Sequence, residues 1–227
     1  MLIVLEGLDG AGKTTQVNLL QKHFESKNIK NTFLHFPRFD APVYGDLIAS
    51  FLRGEFGNVN AVDARLVALL YAGDRDNAAP QLKSWLAEGK VVILDRYVYS
   101  NIAFQCAKIS DSAQREKMRE WILNLEYSFF GIPRPDISIF LDVPFDFTLK
   151  TLKSRREGTD RDYLGGKKDI HESDFDLQRK VRAIYLQLTG IDKHFVPINC
   201  IDENSVMKTP QVIHKEIIML IEELIKG

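Results

Sequence analysis

The sequence predicts an α/β fold in which a central parallel five-stranded sheet carries helices on both faces and a small lid closes over one edge. Two observations lead to this prediction. Short apolar runs rich in β-branched residues alternate with longer segments of helical spacing, an order typical of parallel strands joined by right-handed crossovers. Polar residues collect where the apolar runs end, and in open parallel sheets ligands bind at that edge. The length of 227 residues suits one domain over 1–227.

Five apolar runs are predicted to form the strands. They are MLIVLE at 1–6, NTFLHF at 31–36, KVVILDR at 90–96, PDISIFLDV at 135–143 and HFVPINCID at 194–202. Strands that are buried on both faces read as nearly continuous hydrophobic runs of this kind. Because they alternate with helical segments, we expect them to pair in parallel, with their carboxyl ends along one edge.

The segments between the strands are predicted to be helices, because their apolar residues recur at helical spacing. The first has Val17, Leu20 and Phe24 on one face. We expect helices at 13–26, 43–56, 61–89, 99–107, 112–129 and 211–227. Pro80 falls inside the third of these helices and lacks a backbone donor, so we expect that helix to break near Pro80.

The segment KSRREGTDRDYLGGKKDIHESD, residues 153–174, contains glycines and many charged residues. We interpret it as a mobile loop that is too polar to belong to the core, and as the lid. An arginine that closes over a transferring phosphoryl group supplies positive charge and helps to exclude water. The candidates are Arg155, Arg156 and Arg161, and the sequence does not rank them.

A glycine-rich turn between the first strand and the first helix fits the pattern G-x-x-x-x-G-K-[ST]. Its backbone N–H groups and the positive end of the following helix can hold phosphates. Lys13 reaches the β- and γ-phosphates in such loops, and the Thr14 hydroxyl can ligate Mg²⁺. The predicted ATP site is therefore formed by Gly7, Leu8, Asp9, Gly10, Ala11, Gly12, Lys13, Thr14 and Thr15.

Charged side chains follow two of the predicted strands. Asp95 ends the run VVILD, where it can join Thr14 in holding Mg²⁺, the predicted cofactor. Arg96 comes next, and Arg38 follows the neighbouring strand. A single strand-end Asp often only caps a helix, and a single Arg usually forms a surface ion pair. Their shared placement favours a site in which Arg38 and Arg96 hold an acceptor phosphate.

Two predicted helices carry residues suited to recognising a base. Tyr71 and Arg75 are four residues apart and share a face. An aromatic ring beside several donors suits a flat base that bears carbonyl groups, although a single Tyr more often belongs to the core. One stripe on the helix after Arg96 is formed by Ser100, Asn101, Phe104 and Gln105. Its two amides each offer a donor and an acceptor to a base edge.

No base for deprotonating an acceptor stands out in the sequence. A phosphate monoester has a second pKa of about 6 and is largely a dianion at neutral pH. Transfer onto it needs alignment and charge neutralisation rather than deprotonation. A nucleoside kinase would need a carboxylate near the acceptor hydroxyl, a role that Asp9 or Glu6 could take.

The composition bears on partners and location. Thirty basic residues nearly balance 31 acidic ones, so we expect neither nucleic acid nor a membrane as partner. No apolar run approaches the length of a membrane span. The first predicted strand begins at Met1, so we expect no signal peptide and a cytoplasmic location. Cys106 and Cys200 lack metal-ligand spacing and are predicted to be reduced, buried thiols.

Several segments together resemble the thymidylate kinase family. They follow the family's order and cover most of the chain: LIVLEGLDGAGKTTQ, FPRF, LLYAGDR, LDRYVYSNIAFQ, FGIPRPDISIFLDV and DFDLQRKVRAIYLQL. The phosphate loop alone is generic, whereas Phe36-Pro37-Arg38 and Asp95-Arg96-Tyr97 with Ser100 are far more specific. The resemblance implies a P-loop kinase that transfers the γ-phosphoryl group of ATP to dTMP for dTTP biosynthesis, a homodimer packed through helices, and a lid closing over ATP.

The resemblance also implies residue roles. Asp9 would bond the deoxyribose 3′-hydroxyl, and Tyr71 would stack on thymine. Arg75 would reach a ring carbonyl and Asn101 the base edge. Phe36 and Pro37 would line the sugar and methyl pocket, with a cis bond between them. The dTMP site then comprises Asp9, Phe36, Pro37, Arg38, Tyr71, Arg75, Arg96, Ser100, Asn101, Phe104 and Gln105, and the catalytic residues are Lys13, Asp9, Arg96 and the three lid arginines.

The sequence departs from the family pattern at three places. Gly10-Ala11 stand where one branch of the family has a loop arginine, so the catalytic arginine is expected from 155–161. Phe104 stands where some members have Tyr, which removes a hydroxyl that could help to exclude ribose. Tyr71 replaces the more usual Phe, which keeps the ring and adds a hydroxyl.

Two other functions stay open from the sequence. A kinase for another nucleotide or for a deoxynucleoside would not use Arg75 and Asn101 to choose the base. A P-loop regulatory ATPase would not need a second phosphate-binding site for an acceptor. The placement of both Arg38 and Arg96 at strand ends argues against the ATPase.

Overall fold

Five parallel strands form the centre of the molecule, in the order β2-β3-β1-β4-β5. The computed structural model describes residues 1–154, 159–167 and 169–226. Within these ranges the strands are β1 (Leu2–Glu6), β2 (Asn31–His35), β3 (Val91–Asp95), β4 (Ile137–Asp142) and β5 (Phe195–Asn199). The predicted α/β fold with a parallel five-stranded sheet is confirmed, because each predicted strand is present and pairs as expected.

The register of the sheet brings the polar strand ends together. Leu5 of β1 lies opposite Asp95 of β3, and His35 of β2 lies opposite the same residue. On the other side of β1, Glu6 lies opposite Phe140 of β4. The residues that follow β1, β2 and β3 therefore share one edge, as the sequence pattern predicted.

Helices cover both faces of the sheet. In chain order they are α1 (Lys13–Ser26), α2 (Tyr44–Leu52), α3 (Ala64–Ala87), α4 (Val98–Cys106), α5 (Ser112–Leu123), a π-helix (Asn124–Phe129), α6 (Phe145–Ser154), a 3-10 helix (Thr159–Leu164), α7 (Ile170–Ser173), α8 (Phe175–Thr189) and α9 (Pro210–Lys226). The sequence analysis assigned no helix to 145–154 or to 175–189.

The core consists of two apolar layers, one on each face of the sheet. Leu2 and Val4 of β1 point into the layer formed with α3, α4, α5 and α8. Ile3 and Leu5 point into the layer formed with α1 and α9. Both sides of β1 are thus apolar, which explains its continuous hydrophobic run. The two cysteines are buried and unpaired, as predicted.

The predicted break of α3 at Pro80 is wrong. The helix runs without interruption from Ala64 to Ala87 with Pro80 inside it. Pro80 itself is exposed, whereas Ala78, Ala79 and Leu82 around it are buried against the core. Burial of this apolar face outweighs the loss of one backbone hydrogen bond on the solvent side.

The interpretation of 153–174 as a loop without core residues is also wrong for the described part of 159–173. The side chains of Leu164, Asp169 and His171 are buried. Asp169 caps α7 by accepting hydrogen bonds from the backbone of His171 (2.7 Å) and Glu172 (3.1 Å). Local capping and contacts with the rest of the chain therefore give this charged segment a defined structure.

No helix among the described residues is long and apolar enough to cross a membrane.

Candidate active site

A cavity of about 480 Å³ opens at the carboxyl edge of β1, β2 and β3. It gathers most of the side chains that the sequence analysis selected. The predicted residues that line it are Asp9, Gly10, Gly12, Lys13, Thr14, Phe36, Pro37, Tyr71, Arg75, Asp95, Arg96, Ser100, Asn101, Phe104 and Gln105. The peptide bond between Phe36 and Pro37 is cis, as the family resemblance implied.

The glycine-rich loop adopts the conformation expected of a phosphate loop. Gly10 and Gly12 have left-handed φ angles of 80° and 86°, which suit glycine. The Nζ of Lys13 donates to the carbonyl oxygens of Gly7 (3.2 Å) and Leu8 (3.0 Å), so this amine lies over the loop. Burial, together with nearby Arg96, lowers the pKa of Lys13 below its usual value. An anion in the loop would offset the cost of this buried positive charge.

Asp95 presents a buried carboxylate oxygen beside this loop. Its Oδ1 has no hydrogen-bond partner among the described residues and lies 3.9 Å from the Nζ of Lys13. Burial alone would raise the pKa of Asp95, but Lys13 and His35 outweigh it and the pKa is lowered. The carboxylate is therefore ionised, and both it and Thr14 line the cavity; carboxylate and hydroxyl oxygens are ligands of the kind Mg²⁺ prefers.

Arg96 connects the loop to the cavity. It has a left-handed φ of 68° directly after β3. Its Nη2 donates to Oδ1 of Asp9 (2.6 Å) and its Nη1 donates to Oγ of Ser100 (3.0 Å). Its guanidinium carbon lies 5.3 Å from the centre of the Phe104 ring. Although burial opposes both charges, the pKa of Asp9 is lowered by Arg96, and that of Arg96 is raised by Asp9.

Glu6 holds the chain in place behind Arg96. Its carboxylate accepts hydrogen bonds from the backbone of Tyr97 (2.9 Å) and Ser100 (3.1 Å). It also accepts from the hydroxyls of Ser100 (2.5 Å) and Tyr185 (3.0 Å). Glu6 is fully buried and does not line the cavity. This placement does not support Glu6 as a base for an acceptor hydroxyl, a role that the sequence had left open.

Arg38 is not among the residues that line the cavity, but its guanidinium carbon lies 5.9 Å from the ring centre of Phe36, which is. Its Nε donates to Oδ1 of Asp74 (2.9 Å). Its Nη2 donates to the Asp74 carbonyl and to Oδ1 of Asn77, both at 2.8 Å. The backbone N–H of Arg38 bonds the second Asp74 oxygen at 2.9 Å. Asp74 could not be recognised from the sequence as the partner of Arg38, because the two residues lie on different elements.

Arg75 and Asn101 share a buried carboxylate at the far end of the cavity. Glu126 accepts from Nε of Arg75 and, at 2.7 Å, from its Nη2. The Nδ2 of Asn101 donates to Oε1 of Glu126 and to the Ala68 carbonyl, both at 3.0 Å. The Oδ1 of Asn101 is buried without a partner among the described residues. Glu126 was missed because an isolated Glu in a helical segment carries no sequence signal of function.

Gln105 completes this end of the cavity. Its Oε1 accepts a hydrogen bond from the Nζ of Lys108 at 2.8 Å. Its Nε2 is buried and has no partner in the described part of the chain. Among the described residues, the fully buried polar atoms without a partner at this end are thus an acceptor on Asn101 and a donor on Gln105.

Residues from 159–173 close one side of the cavity, and the sequence analysis missed them as site residues. Tyr163, Asp169, His171 and Glu172 contribute to the lining. The Tyr163 ring stacks on Phe39, with centroids 3.7 Å apart and planes at 7°. The Tyr163 hydroxyl donates to Asp169 at 2.9 Å. An aromatic residue in an otherwise charged stretch was the one signal that could have indicated this contact.

His171 stacks on Phe104, with ring centroids 5.0 Å apart. Its Nε2 is buried and lacks a partner among the described residues. Burial, reinforced by the charge of Lys108, lowers the pKa of His171 well below its usual value, so the ring is neutral. The remaining predicted lid residues cannot be placed: Arg155 and Arg156 lie outside the described residues, and so does the side chain of Arg161.

Comparisons with known proteins agree on one family. The family profile described as thymidylate kinase matches residues 5–208. A thymidylate kinase of Mycobacterium tuberculosis is 35% identical over 190 residues, which cover 84% of this chain and 86% of the relative. A probable thymidylate kinase of Thermococcus kodakarensis is 35% identical over 230 residues, covering 99% and 98%. A solved thymidylate kinase from Candida albicans superposes with a TM-score of 0.75 at 25% identity, covering 98% of this chain and 91% of that chain. These matches confirm the resemblance found in the sequence.

Proposed function

Because this chain belongs to the thymidylate kinase family and phosphorylates dTMP to dTDP with ATP, we propose that the cavity at the sheet edge is its dTMP site. The base occupies the end formed by Arg75, Asn101 and Gln105. The acceptor phosphate occupies the end formed by Asp9 and Arg96, next to the phosphate loop. Both sets of residues line one continuous cavity.

The observation that carries this proposal is the set of free polar atoms at the base end. Oδ1 of Asn101 is an unpartnered acceptor, and Nε2 of Gln105 is an unpartnered donor. Arg75 commits Nε and Nη2 to Glu126, which leaves Nη1 as a second donor. Thymine presents the complementary pattern, an N3–H donor between two carbonyl acceptors. Cytosine has an acceptor at N3 and would place it against Asn101 Oδ1, which is costly in a buried site.

Aromatic and apolar groups enclose the rest of the nucleoside. Tyr71, Phe36, Pro37 and Phe104 line the cavity beside the polar end. In the family to which the chain belongs, Tyr71 corresponds to the ring that stacks on thymine, and Phe36 and Pro37 line the methyl pocket. Burial raises the pKa of Tyr71, so its hydroxyl remains protonated and the ring neutral.

Arg96 is the proposed anchor of the acceptor phosphate. Asp9 and Ser100 hold two of its nitrogens at 2.6 and 3.0 Å, which orients the guanidinium before substrate arrives. The carboxylate of Asp9 is proposed to bond the 3′-hydroxyl as well. Arg38 is the second proposed phosphate ligand, although it does not itself line the cavity: its guanidinium carbon lies 5.9 Å from the ring centre of Phe36, which does. Asp74 and Asn77 bind its Nε and Nη2, so Nη1 is the nitrogen proposed to bind the phosphate.

The reaction needs no base for the acceptor. An oxygen of the dTMP phosphate attacks the γ-phosphorus of ATP, a new P–O bond forms, and the bond to the β-γ bridging oxygen breaks to release ADP. Lys13 and the loop amides neutralise charge on the transferring group. Arg96 holds the attacking phosphate in line. One lid arginine, Arg155, Arg156 or Arg161, is proposed to add positive charge in the transition state.

Mg²⁺ is the proposed cofactor, held by Asp95 and Thr14. The ionised carboxylate with its unpartnered Oδ1 fits a hard cation. Among the described residues no group of three or more His, Cys, Asp or Glu side chains could hold a metal alone. Mg²⁺ is usually held by only one or two protein carboxylates, and water and substrate phosphates complete its coordination shell. When bound, the ion offsets negative charge on the phosphate oxygens.

The chain is further proposed to be one domain with a lid at 153–174 and to form a homodimer. Exposed apolar side chains support a helical interface: Leu66 and Leu69 lie on one face of α3, and Phe129 is 81% exposed. Light scattering with a Leu66→Glu, Leu69→Glu variant tests the dimer, which should then become a monomer. The cytoplasmic location stays a prediction.

The test of the site measures ADP release with ATP and Mg²⁺ while dTMP, dUMP, dCMP, dGMP and thymidine are offered separately. We expect the highest kcat/KM with dTMP, followed by dUMP, because both carry the donor between two acceptors. A kcat/KM for dCMP equal to that for dTMP would contradict the assignment of Asn101 and Gln105. Faster turnover with thymidine would contradict the phosphate site at Arg96.

A further inference from the structure

The side-chain amides of Asn101 and Gln105 can recognise a base only in one of their two possible orientations. A side-chain amide keeps its shape when it turns by 180°, but its donor and acceptor change places. Asn101 and Gln105 therefore discriminate between bases only if other residues hold them in one orientation. A different side chain bonds each amide: Glu126 bonds Asn101, and Lys108 bonds Gln105. Neither Glu126 nor Lys108 lines the cavity.

Asn101 is held by Glu126. Both hydrogens of its Nδ2 are used, by Oε1 of Glu126 and by the Ala68 carbonyl, each at 3.0 Å. A turned Asn101 would place its oxygen against these two acceptors, with no donor to bond it. Arg75 fixes the Glu126 carboxylate in turn through two nitrogens. The orientation that points Oδ1 at the base is therefore the one these contacts allow.

Gln105 is held by Lys108. An ammonium group only donates hydrogen bonds, so the contact of Lys108 Nζ at 2.8 Å requires the oxygen of Gln105 on that side. The Nε2 of Gln105 then points away from Lys108. The Nζ of Lys108 also lies 5.2 Å from the centre of the Phe51 ring. Within the described ranges Lys108 forms no salt bridge, and Gln105 is the only side chain to which it donates a hydrogen bond.

We propose that Glu126 and Lys108 are positioning residues that determine which bases this kinase accepts, by fixing the amides of Asn101 and Gln105 in one orientation. This inference rests on the proposed base site. Neither residue lines the cavity. Burying a carboxylate and an ammonium side chain is costly, and the roles assigned here give a reason for both. The carboxylate comes from the π-helix Asn124–Phe129, a form of helix often found at functional sites.

Lys108→Met tests the second contact, because it removes the donor and keeps the length of the side chain. We expect the KM for dTMP to rise about tenfold while kcat stays within about twofold, as for lost ground-state binding. Lys108→Arg, which also only donates, should restore the KM. In a Gln105→Leu background Lys108→Met should have no further effect on the KM, because the amide it orients is gone.

Lys90→Met is the matched control. Lys90 is also partly buried and pairs with Glu88, but it precedes β3 at the opposite edge of the sheet. The Lys90→Met variant should therefore have the same KM for dTMP as the wild type. An equal rise in the KM with Lys90→Met, or an additive effect of Lys108→Met in the Gln105→Leu background, would overturn the role of Lys108.

Glu126→Gln tests the first contact, because its amide can donate to a turned Asn101. We expect the ratio of kcat/KM for dTMP to that for dCMP to fall by about tenfold or more. An unchanged ratio in a folded variant would overturn the role of Glu126. If this variant does not fold, Asn101→Asp is measured instead: its carboxylate would repel Glu126 and abolish dTMP binding.

If the wild type itself does not prefer dTMP to dCMP, the proposed base site is wrong. If the wild type prefers dTMP and the variants keep the ratio of kcat/KM values, only the positioning role of Glu126 and Lys108 is wrong.

Discussion

Asp9 and Arg96 form an ion pair in which Oδ1 and Nη2 are 2.6 Å apart, at the point where the glycine-rich loop meets the end of β3. In the proposed site the pair joins the glycine-rich loop, which contains Asp9, to the cavity, which Arg96 lines. A phosphate bound there as proposed would share this guanidinium with Asp9 and Ser100. The proposed phosphate site therefore requires the planar, multidentate geometry of Arg96 and not its charge alone.

Arg96→Lys should lower kcat/KM for dTMP by about a hundredfold, because a lysine cannot bind Asp9, Ser100 and a phosphate together. The KM for ATP should change little. Steady-state assays in which each substrate is varied separately give both values. A loss of less than about threefold would show that Arg96 does not hold the acceptor.

Glu6→Gln should destabilise the protein by about 2 to 4 kcal/mol, because the buried carboxylate accepts four hydrogen bonds. The new amide would direct hydrogens at groups that are themselves donors. Urea unfolding measures the loss. Glu25→Gln on the exposed side of α1 is the control and should leave the unfolding free energy within about 0.5 kcal/mol of wild type.

Asp169 should make stability depend on pH. Burial raises the pKa of Asp169 to about 6 in the folded state, so the folded protein binds this proton more tightly than the unfolded chain does. The stabilisation is present below about pH 4 and is lost as the pH rises through about 6. Compared with Asp169→Asn, wild type should lose up to about 3 kcal/mol between pH 4 and pH 7. Urea unfolding of both proteins at several pH values measures this, and a constant difference would contradict the burial of this carboxyl.

Tyr163→Ala should raise the KM for dTMP several-fold and leave the KM for ATP near its normal value. The substitution removes the ring that stacks on Phe39 and the hydroxyl that bonds Asp169. Tyr163→Phe keeps the stack and loses only the hydroxyl, so it should behave more like wild type. If the two variants are equally impaired, the hydrogen bond to Asp169 matters and the stacked ring does not.

Pro80→Ala should stabilise the protein by about 1 to 2 kcal/mol, because it restores a backbone donor inside an unbroken helix. The gain is smaller than the full cost of a helical proline, since the flexible alanine also favours the unfolded chain. Turnover should not change. A decrease in the urea midpoint would mean that Pro80 makes a favourable contact of its own.

Features encoded by contiguous residues could be predicted from the sequence. The phosphate loop is a local pattern between a strand and a helix, so residues 7–15 needed no tertiary information. The strands were found because burial on both faces makes each of them continuously apolar. The shared edge that places Asp95 and Arg96 near Asp9 follows from parallel pairing alone.

Features that depend on distant partners could not be predicted. Arg38 bonds Asp74 and Arg75 bonds Glu126, and neither carboxylate could be recognised as a partner from the sequence, because each lies on an element distant in the chain or without a sequence signal. Tyr163, Asp169, His171 and Glu172 form part of the cavity wall, where Tyr163 stacks on the distant Phe39. Pro80 was misjudged for the same reason, since packing against the core outweighs a local preference.

The position of β1 in the middle of the sheet has a consequence for how the molecule acquires its fold. This strand is made before the other four, yet the backbone of Met1 bonds Lys90 and that of Leu2 bonds Asp136, 89 and 134 positions later. The ribosome must therefore release the chain as far as β3 (Val91–Asp95) before one edge of β1 finds a neighbour, and as far as β4 (Ile137–Asp142) before the other edge does. Until then the apolar run of β1 is available for misassociation. Such distant pairings place refolding in the slow range of milliseconds to seconds or beyond. The glycine-rich loop, although it precedes most of the other elements in the chain, should therefore be among the last features to become functional during synthesis.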